Sequence, residues 1–91
     1  MIESFKSRAL KEFFEKGKSA RIRADLQKCL RIRLDALDAA TALAQLSQPG
    51  FDTHPLKGKP LRYSIHVNGP WCVTFEWNDG NAQRVDLEQY H

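Results

Sequence analysis

Residues 61–88, LRYSIHVNGPWCVTFEWNDGNAQRVDLE, contain three runs in which apolar and polar side chains alternate. Alternation with a period of two is typical of β-strands that have one buried face. Two turn sequences, Asn68-Gly69-Pro70 and Asn78-Asp79-Gly80, separate the runs, which occupy residues 61–67, 71–77 and 82–88. The stretch therefore predicts a meander of three antiparallel strands, and an additional strand is expected near residues 51–57.

The predicted sheet has one apolar face and one polar face. Trp71, Phe75 and Trp77 share a side of the middle strand with Val73, so we interpret them as core residues rather than as platforms for base stacking. We expect Glu76 to form a cross-strand ion pair rather than to act as a catalytic acid. The opposite face should meet solvent or a ligand, and it carries Arg62, His66, Thr74, Glu76, Arg84 and Asp86.

The first half of the chain predicts two helices. Ser7 is suited to cap a helix at residues 8–16, and Gly17 provides its C-terminal stop. Ser19 is suited to cap a second helix at residues 20–37, in which apolar residues recur at helical spacing at positions 22, 26, 29, 30, 34 and 37. A short third helical turn should begin at Asp38 or Thr41 and end at Pro49-Gly50. The expected fold class is α+β: an N-terminal helical hairpin packed on one face of a small antiparallel β-sheet, in one domain spanning residues 1–91.

Charge is distributed unevenly along the chain. Residues 1–33 contain ten Lys and Arg against four acidic residues, whereas residues 34–91 contain four against seven. A basic helical half is typical of a chain that meets a polyanion or an acidic protein partner, and the alternative is a solvated helix surface with local pairing. The apolar runs are too short for a membrane span, and the N-terminus lacks the apolar stretch of a signal peptide. Cys29 and Cys72 lack metal-ligand spacing, so we expect free thiols in a cytoplasmic protein.

Candidate catalytic residues come from two separate stretches. His54 and Lys57 lie in the segment His54-Pro55-Leu56-Lys57-Gly58, and Tyr90 and His91 end the chain. Cleavage of RNA by its 2′-hydroxyl requires a proton acceptor, a proton donor and cations that neutralise the phosphorane, and these side chains can fill those roles without a metal or cofactor. Each residue also has a structural interpretation: His54 as a turn cap, Lys57 and Lys59 as solvated loop charges, His66 as a surface histidine, and His91 as a solvated chain end.

The chain resembles the HigB-type toxins, also called plasmid maintenance killer proteins, of the RelE/ParE superfamily. The resemblance spans the whole chain and combines short matches in a fixed order: Met1-Ile2-x-Ser4-Phe5, Leu37-Asp38-Ala39-Ala40-Thr41, Pro49-Gly50, His54-Pro55-Leu56-Lys57-Gly58, Tyr63-Ser64-Ile65-x-Val67-Asn68-Gly69-x-Trp71, Thr74-Phe75-x-Trp77 and Tyr90-His91.

The resemblance implies a RelE-like fold and the toxin of a type II toxin–antitoxin system that cleaves mRNA on the translating ribosome. It implies a HigA-like helix-turn-helix antitoxin as partner, with operator DNA contacted only through that antitoxin. Family catalytic positions correspond to His54, Lys57, Tyr90 and His91, with Lys59, Arg62, His66 and Arg84 as candidate RNA-binding residues.

Three positions depart from the family pattern. The family usually has Arg where this chain has Cys72, often has Arg at the position of His66, and usually has Asp at the position of Gln89. Cysteine replaces neither the charge nor the donors of an arginine that contacts phosphate. Three alternatives follow: a weak toxin, an altered toxin that uses Arg62 or His66 as its cation, or an inactive homologue that binds the antitoxin and contributes to repression.

Overall fold

The structure, a computed structural model, describes residues 1–89, and Tyr90 and His91 lie outside the described residues. Within residues 1–89 there are two α-helices, one 3₁₀ turn and four β-strands. In chain order these are α1 (Arg8–Lys16), α2 (Ala24–Ala39), the 3₁₀ turn (Leu43–Leu46), β1 (His54–Leu56), β2 (Arg62–Asn68), β3 (Trp71–Asn78) and β4 (Asn81–Gln89). Two helices followed by an antiparallel sheet confirm the predicted α+β fold.

Helix α1 has the predicted bounds because both of its ends are capped by the expected residues. The Ser7 side chain accepts a hydrogen bond from the backbone N–H of Leu10 at 3.1 Å. Gly17 adopts a left-handed conformation at φ 80°, and its N–H donates to the carbonyl of Phe13 at 2.8 Å. A Ser cap and a left-handed Gly satisfy backbone groups that have no partner inside a helix.

Helix α2 begins later than predicted, at Ala24 instead of residue 20, and it ends at Ala39 instead of residue 37. Ser19 is not its cap, because the chain first makes a turn in which the N–H of Ile22 donates to the carbonyl of Ser19 at 3.2 Å. The Gln27 side chain then donates to the carbonyls of Ser19 and Ile22 at 3.2 and 3.1 Å. This turn is stable because it buries Ile22 and satisfies the backbone groups of residues 19–22. Helical periodicity alone does not reveal such a turn, so the predicted helix start lies four residues too early.

The four strands form one antiparallel sheet in the order β1-β2-β3-β4. The three predicted meander strands are confirmed to within one residue at each end, and β1 confirms the strand expected near residues 51–57. The turn between β3 and β4 has Asp79 at φ 52° and Gly80 at φ 78°, which is the backbone that tight hairpins require. The described β4 ends at Gln89, opposite Trp71.

The first six residues form a contact that the sequence did not predict. Ile2 and Phe5 make parallel bridges with Ala82 and Val85 of β4. Four backbone hydrogen bonds of 2.7–3.1 Å join these two segments. The N-terminal segment therefore covers the outer edge of β4, and it brings Lys6 beside the polar face of the sheet.

The core lies between the helices and one face of the sheet. Its sheet side includes the fully buried Ile65, Val73, Phe75 and Val85, which pack in one cluster with leucines of α1 and α2. Trp71 and Trp77 are partly buried against this cluster, and Phe75 is inside it, as predicted for core aromatics. The longer helix, α2, has 16 residues with charges along its length, so neither helix of the described chain meets the length and apolarity that a membrane span needs.

The polar face is less exposed than its sequence indicates. We expected Thr74 to meet solvent or a ligand, but its exposed fraction is 2%. Ser64 and Cys72, on the same face, have exposed fractions of 0% and 3%. Alternation identifies the face of a residue and not the side chains that cover it, so a residue of the polar face such as Thr74 can still be almost fully buried.

Candidate active site

A cleft of about 230 Å³ opens on the polar face of the sheet, on the side away from the helices. Its lining comes from β1, β2, β3, β4 and the loop after β1, and consists of Leu56, Lys57, Arg62, Cys72, Thr74, Glu88 and Gln89. Register explains this convergence, because Cys72 pairs with His66 on one side and Glu88 on the other, while Leu56 pairs with Arg62. Residues paired across neighbouring strands point to the same face of a sheet.

An ion pair crosses the floor of this cleft. Nη1 of Arg62 donates to Oε2 of Glu88 at 2.7 Å. The hydroxyl of Thr74, on the strand between them, donates to the same carboxylate oxygen. The Thr74 hydrogen bond, and then the bond and charge of Arg62, hold the pKa of Glu88 below its ordinary value of 4.5 against the opposing effect of burial. Glu88 is therefore ionised at neutral pH, and the cleft contains a fixed Arg–carboxylate pair.

Cys72 contributes no positive charge to the cleft. Cys72 lines the cleft wall but is almost fully buried, with an exposed fraction of 3%. Cys72 and Cys29 both lie within residues 1–89 and are not joined by a disulfide bond, as predicted. The cations in the lining of this cleft are Lys57, which is exposed, and Arg62, which is half-buried.

A second, smaller cleft of about 190 Å³ adjoins the first and shares Arg62 and Glu88 with it. Its remaining lining residues are Lys6, Pro60, Glu76 and Arg84. Arg84 occupies an irregular position of β4 at φ 51°, and its Nε lies 3.2 Å from Oε2 of Glu76. This ion pair confirms the cross-strand pairing predicted for Glu76.

His54 lies at the start of β1, where it pairs with Ser64 of β2 on the face of the sheet that also carries Leu56 and Arg62. It lines a separate surface cleft of about 250 Å³ with residues of the 3₁₀ turn and Tyr63. Its Nδ1 is 2.9 Å from the backbone carbonyl of Asp52. Because a carbonyl oxygen can only accept, Nδ1 carries the proton in this contact, and the acceptor atom of the neutral ring is Nε2.

The predicted site residues thus divide into several groups. Lys57 and Arg62 share one cleft, Arg84 joins Arg62 in the adjoining cleft, and His54 on the edge strand lines a third cleft. His66 is half-buried beside Cys72, and Lys59 is exposed in the loop before β2. The catalytic assignments of Tyr90 and His91 fall outside the described residues. Sequence reasoning missed Glu88 and the bonding role of Thr74, although Glu88 follows Asp86 by two positions and therefore lies on the polar face by alternation.

Within residues 1–89, no three His, Cys, Asp or Glu side chains are grouped closely enough to hold a metal ion. The clefts contain ammonium, guanidinium, imidazole and carboxylate groups. Ammonium and guanidinium groups bind phosphate, and imidazole and carboxylate groups transfer protons.

Comparison with known proteins places this arrangement in a family. Residues 3–91 match the family model described as the RelE-like toxin of the type II toxin–antitoxin system HigB. The chain belongs to this HigB family of toxins. It is 39% identical over 92 residues to the Endoribonuclease HigB of Proteus vulgaris, with 100% of both chains covered. It is 33% identical over 93 residues to Toxin HigB-1 of Vibrio cholerae, with 99% of this chain and 98% of that protein covered.

Membership of the HigB family gives the clefts a biological setting. The chain is a HigB-type toxin of a type II toxin–antitoxin system, so a cognate antitoxin is its partner. The family match over residues 3–91 covers every helix and strand from α1 to β4.

Proposed function

We propose that this HigB-family toxin is an endoribonuclease that cleaves mRNA on the translating 70S ribosome in the cytoplasm, without a metal cofactor. The observation that carries the proposal is the cleft in which Lys57 and Arg62 lie together on the open face of the sheet. Two cations in one cleft suit a phosphodiester whose charge increases during cleavage. The name of the Proteus vulgaris relative supports the same activity.

The proposed reaction is an internal transesterification. The 2′-oxygen attacks the phosphorus as a base takes its proton, the bond from phosphorus to the 5′-oxygen breaks, and an acid protonates that oxygen. The products are a 2′,3′-cyclic phosphate and a 5′-hydroxyl. Lys57 and Arg62 would neutralise the extra charge on the phosphorane, for which preorganised donors are typically worth ~10²–10³ in rate each.

We assign proton transfer to His54, Tyr90 and His91. For His54 the support is its hydrogen bond to Asp52, which orients the ring and makes Nε2 the acceptor of the neutral form. Lys59, His66 and Arg84 are proposed to contact RNA around the cleft, and Arg84 is supported by its position in the adjoining cleft.

The proposed antitoxin is a HigA-like helix-turn-helix protein, through which alone the complex would contact operator DNA. The cleft and the helices lie on opposite sides of the sheet. An antitoxin bound over the helices would therefore leave the cleft uncovered and inhibit from a distance.

Mapping of mRNA ends tests the proposed activity. Purified protein is added to ribosomes programmed with a defined mRNA, and new 5′ ends are mapped by primer extension. We expect cuts at codon-spaced positions with the native chain and a strong reduction with His54→Ala or His91→Ala. Intact mRNA under these conditions, together with normal growth of cells expressing the toxin without antitoxin, would contradict the proposal.

A second candidate function is an attenuated homologue that binds antitoxin and contributes to operon repression. It is favoured by Cys72, a residue without positive charge in the cleft wall where the resembled family has arginine. The pairing of Cys72 with Glu88 gives an arginine at this position a carboxylate neighbour. Cys72→Arg therefore separates the candidates: full toxicity of the native chain supports the nuclease, and toxicity of the Arg variant alone supports the attenuated homologue.

A further inference from the structure

Glu88 connects the two adjoining clefts, and neither the sequence pattern nor the family comparison gives it a role. We propose that Glu88 is a positioning residue that holds the Arg62 guanidinium over the candidate active site, and that Thr74 fixes Glu88 in turn. The inference rests on the proposed function, because it assumes that Arg62 acts on a phosphate in this cleft.

Three neighbouring strands take part in this contact. Arg62 is on β2, Thr74 on β3 and Glu88 on β4, and both donors meet one carboxylate oxygen, Oε2. Thr74 is 2% exposed in the central strand, so its hydroxyl has little freedom to move. A fixed donor thus orients the carboxylate, and the carboxylate orients a long side chain that otherwise samples many rotamers.

The geometry leaves Arg62 able to bind a second anion. Within residues 1–89, its ion pair with Glu88 uses Nη1 alone. Arginine has five N–H donors in a planar fork, so donors on Nε and Nη2 remain for a phosphate. Arg62 lines both clefts, which is consistent with a guanidinium held at their boundary.

The position of Cys72 explains why Glu88 reaches across the sheet. Cys72 is the cross-strand partner of Glu88 but provides no positive charge. Glu88 instead pairs with Arg62, two strands away. In this chain the Glu88 carboxylate therefore fixes Arg62 of β2, rather than a cation on the adjacent strand β3.

Glu88 has a competing effect, since its negative charge also repels a phosphate. Steady-state kinetics on programmed ribosomes distinguishes the two effects. If positioning dominates, Glu88→Gln lowers kcat by about 10- to 100-fold, because a small misplacement of a catalytic group is costly. If repulsion dominates, Glu88→Gln lowers KM with kcat unchanged, and that result would overturn the proposal.

A double-mutant cycle tests whether Glu88 acts through Arg62. Arg62→Gln/Glu88→Gln should be no slower than Arg62→Gln alone, because the residue being positioned is already absent. Multiplicative losses would contradict this. Glu88→Asp and Thr74→Ser keep the carboxylate and the hydroxyl and should recover part of the rate. Asp86→Asn is the matched control, since Asp86 lies on the same face of β4 but lines neither cleft.

A measurement without turnover keeps this inference separate from the proposed activity. The Nε–H resonance of Arg62 is followed by ¹⁵N NMR relaxation in the native protein and in Glu88→Gln, alone and with a 2′-O-methyl RNA trinucleotide that cannot be cleaved. We expect a rigid Nε–H and trinucleotide binding in the native protein, with greater mobility and several-fold weaker binding in the variant.

The outcomes of the two experiments are distinguishable. If the native protein leaves mRNA intact but Glu88→Gln frees Arg62 and weakens trinucleotide binding, the proposed nuclease activity fails and the positioning role stands. If Arg62 is equally mobile in both proteins, or both bind the trinucleotide equally, the positioning role is overturned whatever the result of the cleavage assay.

Discussion

Lys57 is the more exposed of the two cations that line the candidate active site, the other being Arg62. Within residues 1–89 Lys57 has no ion pair. A cation without a carboxylate partner contributes its full charge to a bound phosphate. Lys57→Ala should therefore lower the rate of ribosome-programmed mRNA cleavage by ~10²–10³-fold. Lys28→Ala is the control, because it removes an exposed lysine from α2, on the other side of the sheet. Equal activity of the two variants would remove Lys57 from the site.

The ionised state of Glu88 predicts a pH-dependent contribution to stability. Its pKa is lowered from 4.5 in the folded chain, chiefly by the Thr74 hydrogen bond and also by Arg62. The folded state therefore binds this proton less readily than the unfolded state, and the stabilisation is present above the ordinary pKa and is lost as pH falls through the lowered one.

Urea unfolding of native protein and Glu88→Gln measures this contribution. The free-energy difference between the two proteins should be constant from pH 7 to about 5.5 and should shrink below about 4.5. A difference that does not change between pH 5.5 and 3 would contradict the pKa shift and its assignment to Thr74 and Arg62.

Two glycines in the turns that end α1 and β3 differ in how closely other atoms surround them. Gly17 and Gly80 both have positive φ, at 80° and 78°, but their surroundings differ. A Cβ on Gly17 would meet no atom within 4 Å, whereas a Cβ on Gly80 would lie 3.1 Å from the carbonyl oxygen of Thr41. A side chain at Gly17 therefore costs only the strain of its left-handed backbone. A side chain at Gly80 has the same strain and also a steric contact with the loop after α2.

Alanine substitutions at these two glycines should differ in cost. Gly17→Ala should lower the free energy of unfolding by about 1 kcal/mol, from left-handed strain alone. Gly80→Ala should lower it by about 2–3 kcal/mol, because the Thr41 backbone must also shift. Chemical denaturation of both variants measures the difference, and a Gly80→Ala cost equal to that of Gly17→Ala would show that the loop moves freely.

At the scale of the whole molecule, Arg33 ties the helix layer to the sheet. From α2 its Nε donates to the carbonyl of His66 at 2.9 Å and its Nη2 to that of Gly50 at 3.2 Å. Its guanidinium also lies 4.8 Å from the centre of the buried Phe51 ring. This single side chain therefore fixes the loop after the 3₁₀ turn and the strand that carries Arg62.

Arg33→Lys should destabilise the fold by about 1–3 kcal/mol, because lysine lacks the planar fork that reaches two carbonyls and stacks on the ring. Arg23→Lys is the control: within residues 1–89 the Arg23 side chain pairs with the exposed Asp25 at 2.7 Å, and such a surface pair contributes little to stability. Thermal unfolding of both variants measures the contrast, and equal melting temperatures would show that Arg33 does not join the layers.

Several positive charges of the basic N-terminal half are used in contacts within the fold. Arg23 pairs with Asp25, Arg31 pairs with Asp35 and bonds the carbonyls at the end of α1, and Arg33 bonds the loop and sheet. Part of the positive charge thus stabilises the fold. Of the remaining charge, Lys6 lines the second cleft. Lys11, Lys16 and Lys28 lie on α1 and α2, in the layer on the other side of the sheet, where they are available to a partner rather than to the scissile phosphate.

Local signals in the sequence were sufficient for the elements and for the family. The bounds of α1 follow from Ser7 and Gly17, and the meander follows from alternation and turn residues, because caps and turns are satisfied within a few residues. The start of α2 could not be predicted, since Gln27 and the burial of Ile22 stabilise a turn that competes with a further helical turn.

The sequence by itself determined the two helices, the antiparallel meander, the faces of its strands and the candidate residues His54, Lys57 and Arg62. Tertiary structure alone decided that the first six residues cover β4, that Lys57 shares a cleft with Arg62, and that Glu88 holds Arg62. The physical reason is range: periodicity and capping act over a few residues, whereas the Arg62–Glu88 contact spans 26 positions and depends on strand register.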